Sequence, residues 1–170
     1  TQQSFELEPR ATSAVMSLAT SPDNLLLATS LSGELRAWSY PEFKSTSVES
    51  PHVPVTAITF RKTNSQLSVL LGLADGRIAT LAEGRVALRK TEHRGIKALL
   101  LSPDQNVLVA AGSEGLVSWY DLQQDHKLAT KSGHKTEIAQ LAWSPDRKRF
   151  VSGDWNGQLR VWNFETHVIE

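Results

Sequence analysis

Residues 144–157 read Ser144-Pro145-Asp146-Arg147-Lys148-Arg149-Phe150-Val151-Ser152-Gly153-Asp154-Trp155-Asn156-Gly157: a turn, a short apolar strand and a second turn. Pro145 presets φ, and the side chains of Ser144 and Asp146 can bond nearby backbone amides. Arg149-Phe150-Val151-Ser152 reads as a strand. Asn156-Gly157 is a strong hairpin signal, because both central positions of a tight two-residue turn need positive φ. The Ser-Pro-Asp triplet recurs 42 residues upstream at Ser102-Pro103-Asp104, and 81 residues before that at Ser21-Pro22-Asp23. A gap of 81 residues holds two periods. Ile58-Thr59-Phe60-Arg61 falls midway, with the same apolar alternation and without the triplet. Four units with a period of 40 to 42 residues therefore cover nearly the whole chain.

Each unit alternates with the period of a strand rather than a helix. Before the turn stand Val15-Met16-Ser17-Leu18, Val55-Thr56-Ala57-Ile58, Ile96-Lys97-Ala98-Leu99 and Ile138-Ala139-Gln140-Leu141. A second strand follows, as in Leu25 to Thr29, Val107 to Ala110 and Arg149 to Ser152. Then comes a glycine turn: Ser32-Gly33, Asp75-Gly76, Glu114-Gly115 and Asn156-Gly157. A third strand ends on Trp38, Leu81, Tyr120 or Trp162, and weaker fourth strands lie at Phe43 to Val48, Arg85 to Arg89 and Lys127 to Thr130. Four short antiparallel strands per unit, separated by turns, predict an all-β chain of propeller blades.

These residues resemble WD40 repeats over about residues 4 to 170. The fourth unit matches best: Gly133-His134 opens it, Ser152 to Gly157 forms its inner hairpin, and Trp162-Asn163 stands where the Trp-Asp pair belongs. The third unit ends on Tyr120-Asp121, the first on Trp38-Ser39, and the second, on Leu81-Ala82, keeps only the shape of the repeat. His52, His93 and His134 recur every 41 residues at the place of the family's Gly-His. The resemblance implies blades at 14–50, 51–91, 92–132 and 133–170, preceded by an outer strand in 1–13, with a following outer strand starting at the end of the last segment.

Composition narrows the function. Lys plus Arg and Asp plus Glu are 18 each, so the net charge is zero and argues against nucleic acid or an anionic membrane as partner. There is no cysteine, which removes disulfides, thiolate metal sites and a cysteine nucleophile. No apolar run is long enough to span a membrane, and residues 1–10 have no basic start or apolar core of a signal peptide. A cytoplasmic location is expected, with the nucleus left open. The chain opens on Thr1 without Met, as an excerpt would.

His134, Ser152, Asn156 and Trp162 have the look of a catalytic or metal cluster. The resemblance implies instead a buried hydrogen-bond chain of His, Ser, acid and Trp, here with Asn156 in the acid's place. His134-x-x-Glu137 and His167-x-x-Glu170 are pairs without a third metal ligand. Ala111-Gly112-Ser113-Glu114-Gly115 lacks the first glycine of a nucleophile elbow and lies in a hairpin. Ser144 to Lys148 lacks the glycine of the sialidase turn, and the basic run Asp146 to Arg149 sits in a surface turn. No phosphate loop or dinucleotide fingerprint occurs. No catalytic residue, cofactor or metal is expected.

In WD40 propellers the tip of the second-to-third-strand hairpin and the loop entering the first strand form the rim where partners dock. That mapping singles out Trp155 and Leu31 at hairpin tips, and Arg94, Lys135 and Glu137 on entry loops. Trp155 either meets a partner there or packs over the neighbouring blade. The family's ring has seven or eight blades, and four leave two apolar ends uncovered. Phe5-Glu6-Leu7-Glu8 and His167-Val168-Ile169 read as outer strands before and after the four blades. Further blades of a longer chain, a second copy forming a homodimer, or another subunit would complete the ring. The expected function is a non-catalytic scaffold for protein–protein contacts; the alternative is the recognition segment of a larger enzyme or signalling protein.

Overall fold

The computed structural model describes residues 13–21, 23, 25–30, 34–48, 50–63 and 66–170. Their regular structure is entirely β. Blade one holds β1 (Val15–Thr20), β2 (Leu25–Ser30), β3 (Leu35–Ser39) and β4 (Ser45–Ser47). Blade two holds β5 (Val55–Thr63), β6 (Gln66–Leu73), β7 (Ile78–Ala82) and β8 (Arg85–Arg89). Blade three holds β9 (Ile96–Leu101), β10 (Val107–Gly112), β11 (Leu116–Asp121) and β12 (His126–Ser132). Blade four holds β13 (Ile138–Trp143), β14 (Arg149–Asp154), β15 (Leu159–Asn163) and β16 (Val168–Ile169). Each sheet is a meander in which consecutive strands pair antiparallel.

Alternation along the strands sends neighbouring side chains to opposite faces, and the cores lie between blades. Leu35 and Ala37 of blade one meet Val55, Leu71, Leu73 and Ala79 of blade two. Leu70 and Ile78 on the other face of blade two meet Ile96, Leu108, Ala110 and Tyr120 of blade three. Ala98, Val109, Ala111, Val117 and Trp119 of blade three meet Ile138, Phe150 and Trp162 of blade four. One cross-strand pair recurs in the same slot: Leu26 opposite Trp38, Val69 opposite Leu81, Leu108 opposite Tyr120, Phe150 opposite Trp162. In blades two to four its side chains face the preceding blade. Each large side chain buried this way contributes about 1.5–3 kcal/mol.

A bulge also recurs. The ladder between first and second strands skips one residue in every blade: Met16, Thr56, Lys97 and Ala139. An extra residue of this kind bends the strand and re-aims its side chain. Thr56 Oγ1 reaches the Ile96 carbonyl of blade three, and Lys97 Nζ lies 3.1 Å from Glu137 Oε1 of blade four. The bulge thus ties one blade to the next.

The turns follow their side chains. Gln105 N–H donates to Ser102 O at 2.8 Å, and Asp104 Oδ1 accepts from Ser102 Oγ at 2.5 Å and from Asn106 N–H at 3.2 Å. The Ser144 turn repeats this with Arg147 and Asp146. Two expectations change. In the glycine hairpins only Gly76, Gly115 and Gly157 take positive φ, while the residue before each does not. With Gly76 N–H bonded to Leu73 O and Leu73 N–H to Arg77 O, the connection is a type I turn closed by a left-handed glycine, one residue longer than the two-residue turn read from Asp-Gly and Asn-Gly. Val168–Ile169 pairs with Trp162 and Asn163 as blade four's own fourth strand, so it does not begin a following one. Phe5 to Glu8 and Ser32-Gly33 lie outside the described residues.

Candidate partner-binding rim and the networks beneath it

Trp155 sits on the β14–β15 hairpin with 73% of its surface exposed, its ring in solvent rather than over a neighbouring blade. Two contacts hold it. Its backbone N–H donates to Glu137 O at 3.2 Å, and its indole N–H donates to Glu137 Oε1 at 3.1 Å. Glu137 also accepts Lys97 from blade three, so one carboxylate ties the bulge of β9, the loop entering β13 and the hairpin tip. The ion pair is about one-third exposed on both sides, and such pairs contribute under about 1 kcal/mol. Its effect is on orientation, because it stands a large rigid ring on a fixed base.

The other rim candidates divide. Arg94 is exposed on the loop entering β9, where its backbone N–H donates to Glu114 Oε1 at 2.6 Å. Lys135 is exposed on the loop entering β13. Leu31 lies outside the described residues. At the positions matching Trp155, Ala74 is exposed and Ser113 half-buried. Among the described candidates, Glu137 and Trp155 are the pair joined to each other by hydrogen bonds.

Beneath the rim, His134, Ser152 and Trp162 are brought together and Asn156 is not. His134 Nε2 lies 2.6 Å from Ser152 Oγ, which accepts from Trp162 Nε1 at 2.8 Å. The acid is Asp154: its Oδ2 is 3.0 Å from His134 Nδ1, and its Oδ1 accepts from the backbone N–H of Asn156 and of Gln158. The longer turn explains the correction, because it carries Asn156 to the exposed tip and leaves Asp154 on the last buried strand position. Burial by itself would raise the Asp154 carboxyl, but the bonds from Gln158 and His134 outweigh it and hold the group below its ordinary value. Asp154, His134, Ser152 and Trp162 thus form one continuous hydrogen-bonded chain. His134 and Ser152 are buried, which suits a lock and denies a substrate access.

Blade three builds a different network, which the sequence reading missed. Ala110 replaces the serine of β14, and Ser118 on β11 takes over, 3.0 Å from His93 Nε2. Ser118 Oγ also donates to Glu92 Oε1 at 2.7 Å, and Thr130 and Tyr120 donate to the same carboxylate. Burial would raise Glu92, yet the bonds from Thr130 and Ser118 bring it down to about 2. Tyr120 is pushed up to about 12 by burial and then by the Glu92 charge. Burial lowers His93, against the pull of Glu92 and Glu114. The signal in the sequence was Glu92 directly before a recurring histidine.

The remaining chemical candidates are dispersed. The His167 ring lies 4.8 Å from that of Trp119 at a tilt of 47°, and Glu170 pairs with Arg149. Asp146 is 3.6 Å from Arg149, so acids answer part of the basic run. Among the described residues no group of three His, Cys, Asp or Glu is arranged to hold a metal ion.

The family model for WD40, "WD domain, G-beta repeat", matches residues 2–39 and 126–163. The second match runs from β12 through β15, so the family's repeat is one strand out of phase with the blade. The chain is similar to the kinesin-like protein KIF21A of Homo sapiens, at 26% identity over 94% of the chain, and spans 10% of that relative's length. Among solved structures it is similar to the computationally designed Ika8 protein, with a TM-score of 0.78 and 24% identity, covering 95% of the chain and 49% of the design. The computationally designed Ika4 protein gives a TM-score of 0.77 at 23% identity, covering 95% of the chain and 99% of the design. At these identities the designs speak for the fold.

Proposed function

We propose that this chain, whose residues 2–39 and 126–163 match the WD40 repeat, is a non-catalytic scaffold that binds protein partners through the blade-four rim, within a multiprotein complex in the cytoplasm. The observation that carries the reading is Trp155, 73% exposed and anchored twice to Glu137. An indole fixed at both ends loses little side-chain entropy when a partner covers it, which is why tryptophan concentrates binding energy at interfaces. Arg94 and Lys135 offer charged contacts on the neighbouring entry loops, and rigid blades keep the loops at fixed positions.

The test is affinity capture from cell extract with the wild-type chain and Trp155→Ala, read by quantitative mass spectrometry. Partners retained by the wild type and lost at least tenfold by a folded Trp155→Ala support the rim. Identical partner sets sink it. A second reading, a recognition segment of a larger protein, is favoured by one finding: in KIF21A the similar stretch is a tenth of the chain. On that reading the partners captured through Trp155 are substrates or regulators of a catalytic part encoded elsewhere.

A further inference from the structure

In one recurring slot the third strands carry Trp38, Tyr120 and Trp162, and blade two carries Leu81. The residue across the ladder is reduced as well, Val69 where blade four has Phe150. What closes such a slot is visible between blades two and three. Tyr120 fills it, and Arg89 of blade two lies over the Tyr120 ring with Cζ 5.4 Å from the centroid. Asp125, on the turn between β11 and β12, pairs with Arg89 from the other side. The space left there is about 110 Å³.

Between blades one and two each of those parts is smaller or apolar. Leu81 stands in the place of the tyrosine. Val48, which follows Ser47 on the strand paired with β3, takes the place of Arg89. The turn between β7 and β8 is only Glu83-Gly84, both with positive φ, and sends no acid across. The result is a cavity of about 220 Å³ walled by Val48, Leu67, Val69, Leu81 and Val86, with Glu83, Gly84 and Arg85 exposed at its mouth. A Cβ on Gly84 would meet nothing within 4 Å, so the mouth is unobstructed. Both walls are formed by described residues of adjoining blades. Apolar cavities of about 150 Å³ already take up a benzene ring.

We propose that this groove takes one aromatic side chain of an acidic partner segment lying extended along β8. A ring is what the other three blades supply for themselves in the same slot. The extended backbone follows from β8, which among the described residues pairs only with β7 and leaves its other edge open beside the cavity. A strand added to such an edge gains affinity from its main chain and specificity from the side chain it places in the pocket. The charge follows from the ends of β8. Arg85 and Lys90 are exposed and have no carboxylate partner among the described residues, while Glu83 accepts from Gln66. This groove does not rest on the scaffold reading, since it lies on the outer strands and the Trp155 rim is a different surface.

The experiment is methyl NMR of the full chain, titrated with a blocked pentapeptide that holds one central phenylalanine between glutamates. The methyls of Val48, Leu81 and Val86 are expected to shift saturably, and an alanine-centred peptide to bind at least about tenfold more weakly. Leu81→Trp gives the slot the ring of blades one and four. It is expected to lose the phenylalanine peptide by about tenfold or more, with the near-ultraviolet circular dichroism of a folded chain. Val69→Phe, the blade-four residue at that place, fills the same space and stands in should Leu81→Trp fold poorly. Arg85→Glu is expected to weaken the peptide roughly threefold or more and to leave indole binding unchanged, and Trp155→Ala to change neither. Absence of a saturable shift at those methyls, or a shift that both filling variants leave intact, would overturn the groove. Free indole binding as tightly as the peptide would make it a site for a free ring, and equal binding of a lysine-flanked peptide would remove the acidic partner. A doubled solution mass that Leu81→Trp abolishes would put a second copy there instead.

Discussion

Gly115 lies under the carbonyl of His134, so close that a Cβ there would come within 2.2 Å of the oxygen. His134 N–H and Gly133 N–H both donate to Gly115 O at 3.1 Å, so the hairpin of blade three and the entry loop of blade four are clamped backbone to backbone. Gly115 has φ of 71°, and Gly157, its counterpart, has 77°. Alanine at either costs about 1–2 kcal/mol in backbone strain. Only at Gly115 must the neighbouring backbone also move, which adds about 1–3 kcal/mol. Gly115→Ala should therefore be the more destabilising of the two in urea unfolding at equal protein concentration; equal losses would contradict the clamp.

Trp162 is 0% exposed, stacks on Phe150 with centroids 6.0 Å apart, meets Trp119 edge-on at 5.6 Å and donates to Ser152 Oγ. Trp162→Ala is expected to lower stability by about 3–5 kcal/mol, as large truncations in a packed core do. A loss below about 1 kcal/mol by denaturant titration would show that the slot tolerates collapse.

Asp154 and Asn156 differ by two positions and exchange roles between sequence and structure. Asp154→Ala leaves His134 Nδ1 and the N–H groups of Asn156 and Gln158 without their acceptor, so the melting temperature should fall clearly. Asn156→Ala, at an exposed tip, should change stability by no more than about 0.5 kcal/mol. Thermal melts of the pair decide between the two assignments, and the reverse ranking would restore Asn156 to the network.

Stability should fall in two ranges of acid. His93 is held below its ordinary value of 6.5 by burial, so the unfolded chain takes up a proton that the folded chain resists, and stability declines as the pH drops through 6.5 toward that lowered value. Burial would raise Glu92, but its hydrogen bonds bring it to about 2, so its contribution is complete above its ordinary 4.5 and is lost between 4.5 and 2. Melting temperatures measured from pH 8 to 2 should show both declines. His93→Gln should shrink the first and Glu92→Gln the second; an unchanged upper decline in His93→Gln would assign it to another histidine, His167 being lowered by burial as well.

The blades were legible because their signals are local. Ser-Pro-Asp closes its turn with its own side chains, and the apolar slots at Val55, Ile96 and Ile138 repeat within one strand of that turn. The hairpin-tip position of Trp155 was legible for the same reason. Asp154 was not, because choosing between two neighbours on one hairpin depends on the length of the turn, and Asn-Gly favours a turn one residue shorter than the one formed. The Glu92–Ser118–Thr130 cluster was hidden for a different reason: its members lie 26 and 38 residues apart and meet only because β11 and β12 are paired. Val168–Ile169 was assigned to a following blade because two residues give no period, and pairing with β15 fixes it in blade four.

The bulge that repeats at Met16, Thr56, Lys97 and Ala139 has a genetic consequence. It shifts the phase of every first strand by one residue at the same point, so two blades are interchangeable only when a crossover keeps that point aligned. Blades three and four are aligned at an offset of 42 residues from bulge to hairpin glycine, Lys97 to Ala139 and Gly115 to Gly157. A tandem duplication of those 42 codons would add a blade with its bulge, turns and clamp already in step, whereas an insertion or deletion of one codon within a strand between bulge and glycine would turn a buried face toward water. Growth of such a gene by whole blades is therefore structurally cheap, and growth by single residues is confined to the loops.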